Sequence, residues 1–416
     1  MSLSRVSKLL AVAALTGAAL ATPGDPWVVM DSQSKEHGKS LSAIDFDSAS
    51  SGWAVGDHTD HTTGRMTAHI KRWDGAKWSD SAVGDLAGKD VALNQVAAVS
   101  GNDAWATGMS VPPPQLRKAT RSPRPGSPLQ YRDPQRGLQA GLLTAAGTPY
   151  VLTHWDGQKW ASVTPPQPAA DKDALVSDVE RVGDHALAVG LERKLDPQTG
   201  APSEQMGFLD RYSGGKAQRL ELPKELTAKP SAVFSVTGSG AGDVWISGAF
   251  VTPDKDSPYA AHWNGTAWTL HELPVTAQFP NGWNADQIVT SGGTVHVSGR
   301  SLYTDGTLTT GYRFDGKAWT EWTDRGLAEI NDLSVRSDTT GMVAGGWPTL
   351  TSNVSQYASF TGTTWTSHEQ PAAFAGKEGQ VLGVAWLPGT DRAMGVGYTN
   401  DESEWGGVYY VTASRS

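Results

Sequence analysis

One short motif recurs along this chain and constrains its fold more than any other feature. Two aromatic residues enclose an Asp-Gly or Asn-Gly pair in four copies, and a fifth copy lacks the Asp or Asn. The copies are 73–78, 155–160, 263–268, 314–319 and 360–365. Asp-Gly and Asn-Gly are typical of two-residue hairpin turns, because both central positions of such a turn need positive φ. The motif therefore predicts β-hairpins whose flanking rings pack against a neighbouring sheet.

A second signature, a short apolar segment that ends in Gly, lies upstream of the hairpins. Its copies include SGWAVG, DAWATG and DVWISG, and each follows a run of alternating apolar and polar residues. Each unit therefore reads as four antiparallel strands. The units begin near residues 41, 92, 174, 232, 286, 329 and 380. Four-stranded units that recur about every fifty residues predict an all-β fold, a β-propeller with seven blades, with six or eight as the alternative counts.

The two ends of the chain carry two further predictions. The last unit supplies only three strands, so we expect Pro26–Asp31 to add the fourth and close the ring, with Trp27 in the place that Trp78 has in its own blade. Residues 1–21 have basic residues, a short apolar run and small residues before Thr22, as in a secretory signal peptide. We therefore expect export, with residues 22–416 forming one propeller domain.

Charge and composition exclude several classes of function. The formal net charge is −9, and loss of Arg5 and Lys8 with the signal segment would make it −11. This excess of negative charge argues against a nucleic-acid partner. The chain has no cysteine, which excludes lipoprotein anchoring, thiol catalysis and cysteine metal sites. No later apolar run approaches the ~20 residues of a membrane helix, so we expect no membrane insertion and a monomer in solution.

The repeated motifs resemble a known group of proteins. A Gly-ending strand followed by an aromatic hairpin is similar to kelch-type propellers, and SGWAVG with its downstream Asp-Gly-x-x-Trp also resembles Asp-box or BNR-like propellers, although the Asp-x-Gly spacing is missing. The resemblance implies a secreted bacterial propeller of the type found in the central domain of galactose oxidase. It does not imply the oxidase activity, because that cofactor requires a Tyr linked to Cys.

The main functional prediction concerns the face that carries the long loops. Trp283, Trp347 and Trp405 fall there in the fifth, sixth and seventh units, with Asn284, Asp286 and Glu404 nearby. A sugar ring stacks on an exposed indole, and its hydroxyls bond to neighbouring carboxylates and amides. We therefore expect a non-catalytic propeller that binds a glycan or an extended peptide. The competing interpretation is that these tryptophans only cap hydrophobic loops.

Two other functions remain open at this point. The first is a secreted hydrolase or lyase that acts on polysaccharide or cell wall, with acids such as Asp60, Asp286 or Glu404; a sialidase-like site would draw on Tyr303, Tyr398, Glu404 and Arg300. The second is a protein-binding scaffold that uses a Pro-rich insertion at 111–147. The basic residues of that insertion are Arg117, Lys118, Arg121, Arg124, Arg132 and Arg136, against a single acid, Asp133.

A dense polar segment in the first unit is a candidate metal site. Asp57, His58, Asp60 and His61 offer the carboxylate and imidazole donors that zinc, copper or calcium use. The alternative is a solvated polar loop, because so many ligands within five residues are cramped. The motifs require no cofactor, and a bound metal ion is the one addition that these residues suggest.

Overall fold

The protein is described by a computed structural model. The described residues are 27–32, 38–60, 62–111, 150–168, 172–196, 202–252, 255–275, 279–291, 293–300, 309–322, 329–336, 342–347, 356–361, 364–368, 379–400 and 407–414. The expected signal segment, 1–21, and nearly all of the basic insertion, 112–147, lie outside them. No helix in these ranges is long and apolar enough to cross a bilayer.

The described residues form seven antiparallel sheets of four strands each. Sheet 1 contains β2 (Ala43–Ser48), β3 (Ser51–Thr59), β4 (Met66–Trp73) and β5 (Trp78–Asp80). Sheet 2 contains β6 (Val91–Ser100), β7 (Asp103–Ser110), β8 (Val151–Trp155) and β9 (Trp160–Val163). Sheet 3 contains β10 (Asp173–Val182), β11 (His185–Leu195), β12 (Pro202–Ser213) and β13 (Lys216–Leu220). Sheet 4 contains β14 (Ser231–Gly240), β15 (Asp243–Val251), β16 (Asp256–Trp263) and β17 (Trp268–Glu272).

The remaining strands form three further sheets. Sheet 5 contains β18 (Asn284–Ser291), β19 (Thr294–Arg300), β20 (Thr309–Phe314) and β21 (Trp319–Trp322). Sheet 6 contains β22 (Glu329–Val335), β23 (Met342–Trp347), β24 (Gln356–Thr361) and β25 (Thr364–His368). Sheet 7 contains β26 (Gly379–Trp386), β27 (Ala393–Asn400), β28 (Gly407–Ser414) and β1 (Trp27–Ser32). The described residues also contain two short helical elements between the sheets, a 3-10 turn (Gly84–Leu86) and α1 (Lys224–Thr227).

Neighbouring sheets meet through their first strands. The first strand of each sheet contacts the first strand of the next, and β26 of sheet 7 contacts β2 of sheet 1. In sheet 7 the fourth strand is β1, which pairs antiparallel with β28 so that Trp27 lies opposite Ser414. The prediction of an all-β fold built from four-stranded antiparallel sheets is confirmed, and the arrangement is consistent with a β-propeller.

A polar side chain joins most first strands to the first strand of the following sheet. Three carboxylates accept backbone N–H groups: Asp45 from Ala98 at 2.7 Å, Asp178 from Val236 at 3.0 Å and Asp332 from Val384 at 2.8 Å. Two amides donate to backbone carbonyls: Gln95 to Ser177 at 2.9 Å and Gln287 to Asn331 at 3.0 Å. The hydroxyl of Ser235 accepts the N–H of Ile288 at 3.2 Å. Because buried backbone groups need partners, these contacts fix the spacing of the sheets around their common centre.

The hairpins form as predicted, but their turns differ. Trp73 lies directly opposite Trp78, with four residues between them. The Asp74 carboxylate accepts the N–H groups of Ala76 at 3.0 Å and Lys77 at 2.9 Å. Only Gly75 has a positive φ, at +94°. The N–H of Asp74 donates to the carbonyl of Lys77 at 3.3 Å, so Gly75 and Ala76 are the central residues of the turn. The expectation that Asp and Gly are both central residues with positive φ is therefore wrong: Asp serves as a side-chain acceptor for the loop, and Gly alone supplies the left-handed conformation.

The tryptophan of a second strand packs against the hairpin of the next sheet. Trp53 is completely buried, and its ring centroid lies 4.9 Å from that of Trp155 and 5.0 Å from that of Trp160. The Gly that ends the second signature permits the close approach of the first strand: a Cβ at Gly108 would lie 2.0 Å from the carbonyl oxygen of Ala92. The rings are thus packing anchors, as predicted, and replacing a completely buried one such as Trp53 by Ala should cost about 3–5 kcal/mol.

Candidate functional site

The predicted site residues of the fifth unit lie on one edge of the sheets. At this edge the first and third strands begin and the second strands end; we call it the long-loop edge. Asn284 and Asp286 stand at the start of β18, and Arg300 at the end of β19 is the backbone partner of Asn284. The register shifts between Asn284 and Gln287, and such a bulge re-aims side chains. Two of the predicted residues therefore come together with Arg300.

These three side chains form a nearly enclosed polar group. Asn284 is 3% exposed and Asp286 is 7% exposed. The Nε of Arg300 lies 3.4 Å from Oδ2 of Asp286, so a guanidinium faces this carboxylate. The Oδ1 of Asn284 is buried and has no hydrogen-bond donor in the structure as described. A buried acceptor without a donor is costly, and the group is therefore suited to a ligand that brings one.

Asp256, which the sequence did not single out, completes the group. It begins β16 in the neighbouring sheet, is 4% exposed, and donates its backbone N–H to the carbonyl of Asn281 at 3.0 Å. Burial and the adjacent negative charge of Asp286 raise the pKa of Asp256 to about 6. Two neighbouring carboxyl groups thus stand in different environments: that of Asp286 faces a guanidinium, whereas that of Asp256 tends to hold its proton.

Trp283 does not have the predicted exposed position. Its side chain is completely buried among the apolar residues of sheets 4 and 5. Its indole N–H donates to the carbonyl of Pro274 at 3.0 Å, and its ring stacks on Tyr312 with centroids 5.6 Å apart. A ring enclosed in this way offers no face to a sugar. The prediction that Trp283 stacks on a ligand is therefore wrong. Trp283 is a core residue, as in the competing interpretation that these tryptophans cap hydrophobic loops.

The other predicted residues of this edge are only partly within the described range. Trp347 ends β23, where its backbone pairs with Glu329, and Tyr398 pairs with Gln380 in sheet 7. Arg300 with Asn284 occupies the same register position in sheet 5. The side chain of Trp347, and Tyr303, Glu404 and Trp405 altogether, lie outside the described residues.

The candidate metal segment is dispersed. Asp57 and His58 are adjacent on β3, so their side chains point to opposite faces. Asp57 accepts a hydrogen bond from the hydroxyl of Ser40 at 2.7 Å, and burial raises its pKa. Asp60 is exposed and accepts the N–H of Thr62 at 2.8 Å. His61 lies outside the described residues, and the residues inside them contain no group of three His, Cys, Asp or Glu arranged for a metal. The metal prediction finds no support there.

A second polar centre lies among the first strands of the sheets. A cavity of about 1020 Å³ is lined there by Asp45, Asp178, Glu180, Arg181 and Asp332, among others. Burial, with the charges of the neighbouring carboxylates, raises the pKa of Asp332 to about 8, and burial raises that of Asp45 to about 6. Burial and the charges of Asp45, Asp178 and Asp332 also raise the pKa of Glu180 well above its usual value. Three of these acids hold backbone N–H groups, which gives them a structural role.

Comparison with known proteins locates the fold but not the activity. No protein-family model and no curated protein matches the chain. A protein of unknown function from Dyadobacter fermentans is similar at a TM-score of 0.51 and 11% identity, over 77% of this chain and 94% of that one. A Niastella koreensis GH74 enzyme is similar at a TM-score of 0.51 and 11% identity, over 92% of this chain and 55% of that one. A Trypanosoma rangeli sialidase has a TM-score of 0.43 and 12% identity, over 91% of this chain and 55% of that one. The chain thus spans about half the length of these two enzymes, and at such identities the likeness concerns the fold alone.

Proposed function

We propose that this chain is an exported, seven-bladed β-propeller closed by its N-terminal strand, and that it cleaves a glycan at the long-loop edge of sheets 4 and 5. Support for the closed ring comes from the seven four-stranded sheets and from the pairing of β1 with β28. Export follows from the signal-like residues 1–21. The activity is that of a hydrolase or a lyase.

The pair of unlike carboxyl groups carries the functional proposal. Glycan cleavage needs one carboxyl that gives a proton to the leaving oxygen and a second, ionised group that acts as base or nucleophile. Asp256, whose pKa is raised to about 6, suits the first role, and Asp286 beside Arg300 suits the second. Asn284, the first residue of β18, accepts a substrate hydroxyl through its Oδ1. Since these side chains are nearly enclosed, the site must open for a substrate to enter.

The binding-only interpretation loses part of its basis in the described residues. It relied on three exposed indoles, and Trp283 is buried. The enzymatic interpretation, by contrast, gains Asp256 as a partner for Asp286. The GH74 enzyme found by structural similarity is a case of an enzyme on this fold, although it assigns no reaction to this chain.

The test compares turnover of residues 22–416 with that of the variants Asp256→Asn and Asp286→Asn on a panel of polysaccharides and cell-wall fragments. Removal of a general acid or base should lower turnover by about 10²–10⁴-fold. Asp184→Asn is the matched control, because the Asp184 side chain is fully exposed on a turn. Melting curves would verify that each variant is folded.

Two results would contradict the proposal. Wild-type turnover that survives in both folded variants would place the chemistry elsewhere. Saturable binding of a glycan by the wild type without any turnover would favour the non-catalytic propeller instead.

A further inference from the structure

We infer that the substrate is a glycan of uncharged, hydroxyl-rich sugars, and that the reaction is hydrolysis rather than elimination. The inference rests on the activity proposed above and adds its substrate class. It comes from the buried amide oxygen of Asn284 and from the charges of the groups around it.

The site contains a buried acceptor that lacks a donor. The Oδ1 of Asn284 is enclosed and receives no hydrogen bond from a described residue, and the carboxyl group of Asp256, when protonated, can itself donate to a ligand oxygen. An amide oxygen can only accept, so it needs a ligand O–H or N–H. Sugar hydroxyls supply such donors, and they carry no charge that has to be balanced inside the site.

The site is poorly equipped for an anionic sugar. Arg300 is the basic side chain that faces this group within the described ranges, and its guanidinium already lies against Asp286. A substrate carboxylate would have to displace Asp286 from Arg300 and would then stand beside two carboxyl groups. Lys255 precedes Asp256 but is exposed to solvent. The net charge of −9 also opposes the approach of a polyanion.

This charge balance decides between the two reactions. Elimination removes a proton next to a sugar carboxylate, so its substrate is an anionic sugar, which this site is poorly equipped to hold. Hydrolysis needs only water and the two acids: the bond from the anomeric carbon to oxygen breaks, and the leaving oxygen takes the proton of Asp256. A water oxygen then bonds to the anomeric carbon, and its proton passes to Asp286. Exchange with solvent restores both groups.

The experiment incubates residues 22–416 with a soluble neutral β-glucan, a neutral xylan, polygalacturonate, sialyllactose and chitosan. New reducing ends report hydrolysis, ultraviolet absorbance of an unsaturated uronate reports elimination, and free sialic acid is measured separately. The variants are Asp256→Asn, Asn284→Ala and Lys255→Ala, with Asn264→Ala in a hairpin as the control for the amide. Loss of one hydroxyl contact in Asn284→Ala should raise KM about three- to tenfold, with a smaller change in kcat.

The outcomes separate the two proposals. New reducing ends from a neutral glycan, lost in Asp256→Asn and weakened in Asn284→Ala but not in Lys255→Ala, support the inference. Cleavage confined to polygalacturonate, sialyllactose or chitosan and lost in Asp256→Asn overturns the substrate class and leaves glycan cleavage at this site intact. No turnover of any member of the panel overturns both.

Discussion

We expect the folded protein to lose stability as the pH rises above neutrality, because buried carboxyl groups line the cavity among the first strands. Burial and neighbouring charges raise the pKa of Asp332 to about 8, whereas an unfolded chain ionises this group near pH 4. A group whose pKa is raised by folding binds its proton more tightly in the folded state. Its contribution is fully present below the unfolded pKa and is lost as the pH rises through the folded pKa.

The pH range in which this effect is best measured lies between about pH 6.5 and pH 9. At lower pH the titration of buried histidines also changes the stability, because burial and the charge of Arg313 lower the pKa of His296 to about 4. Inside it, Asp332 alone should remove about 2 kcal/mol of unfolding free energy, at 1.36 kcal/mol for each pH unit up to its pKa. For a chain of this length that corresponds to a fall in Tm of about 2 °C. Glu180 titrates in the same direction and adds to the fall.

Thermal unfolding of the wild type and of Glu180→Gln across this window measures the effect. The substitution removes one of the mutually repelling acids, and no hydrogen bond from a described residue is lost with it, so the variant should show a smaller fall in Tm. Glu272→Gln is the control, because Glu272 is exposed at the end of β17. A wild-type Tm that stays constant or rises with pH, or a Glu180→Gln variant that is less stable at pH 9, would refute the reasoning.

Two further predictions concern the packing of the sheets. Asp74→Ala should lower the free energy of unfolding in guanidinium by about 1 kcal/mol, because the Ala76 and Lys77 N–H groups lose their acceptor. Asp74→Asn should be nearly neutral, because Asn264 accepts the same hydrogen bonds in another hairpin. Equal losses in both variants would contradict this. Lys71→Met should lower the free energy of unfolding by about 2–3 kcal/mol, since the buried ammonium lies 2.7 Å from Asp31 and 3.0 Å from the half-exposed Asp80. A loss no larger than that of Lys77→Met, at an exposed lysine, would argue against this.

The sheets could be predicted because their signals are local. The aromatic residues of each hairpin, its Gly and the Asp or Asn before that Gly lie within six residues of one another. Each has a separate role in the folded hairpin, since Trp73 packs, Gly75 turns the chain and Asp74 accepts hydrogen bonds. The turn type was predicted wrongly, because the spacing of the motif does not show which residues of the loop take positive φ. The backbone angles of the folded hairpin show it directly, because Gly75 has a positive φ and Asp74 does not.

The candidate site was only half predictable, because its members come from different sheets. Asp286 and Asn284 stood out beside a tryptophan, but Asp256 lies 30 residues earlier and meets them only when sheet 4 packs on sheet 5. Trp283 was misjudged for the same reason. In the sequence it stands in a loop rich in Asn and Gly, and only the fold brings the Pro274 carbonyl and the Tyr312 ring around it.

The proposed place of the site agrees with where the repeat departs from its own pattern. The residue after the Gly of the second strand and its backbone partner are apolar in sheets 2, 3 and 4. These pairs are Met109 with Ala92, Leu191 with Leu175, and Ala249 with Ala232. In sheets 5, 6 and 7 the same register position holds Arg300 with Asn284, Trp347 with Glu329, and Tyr398 with Gln380. Since three sheets form with apolar pairs there, the fold does not require polar or aromatic residues at this position. Sheet 1 also has a polar residue after its Gly, Asp57, so four neighbouring sheets depart from the apolar pattern. This departure supports the proposal that the function lies on the sector of the long-loop edge that contains Asp286.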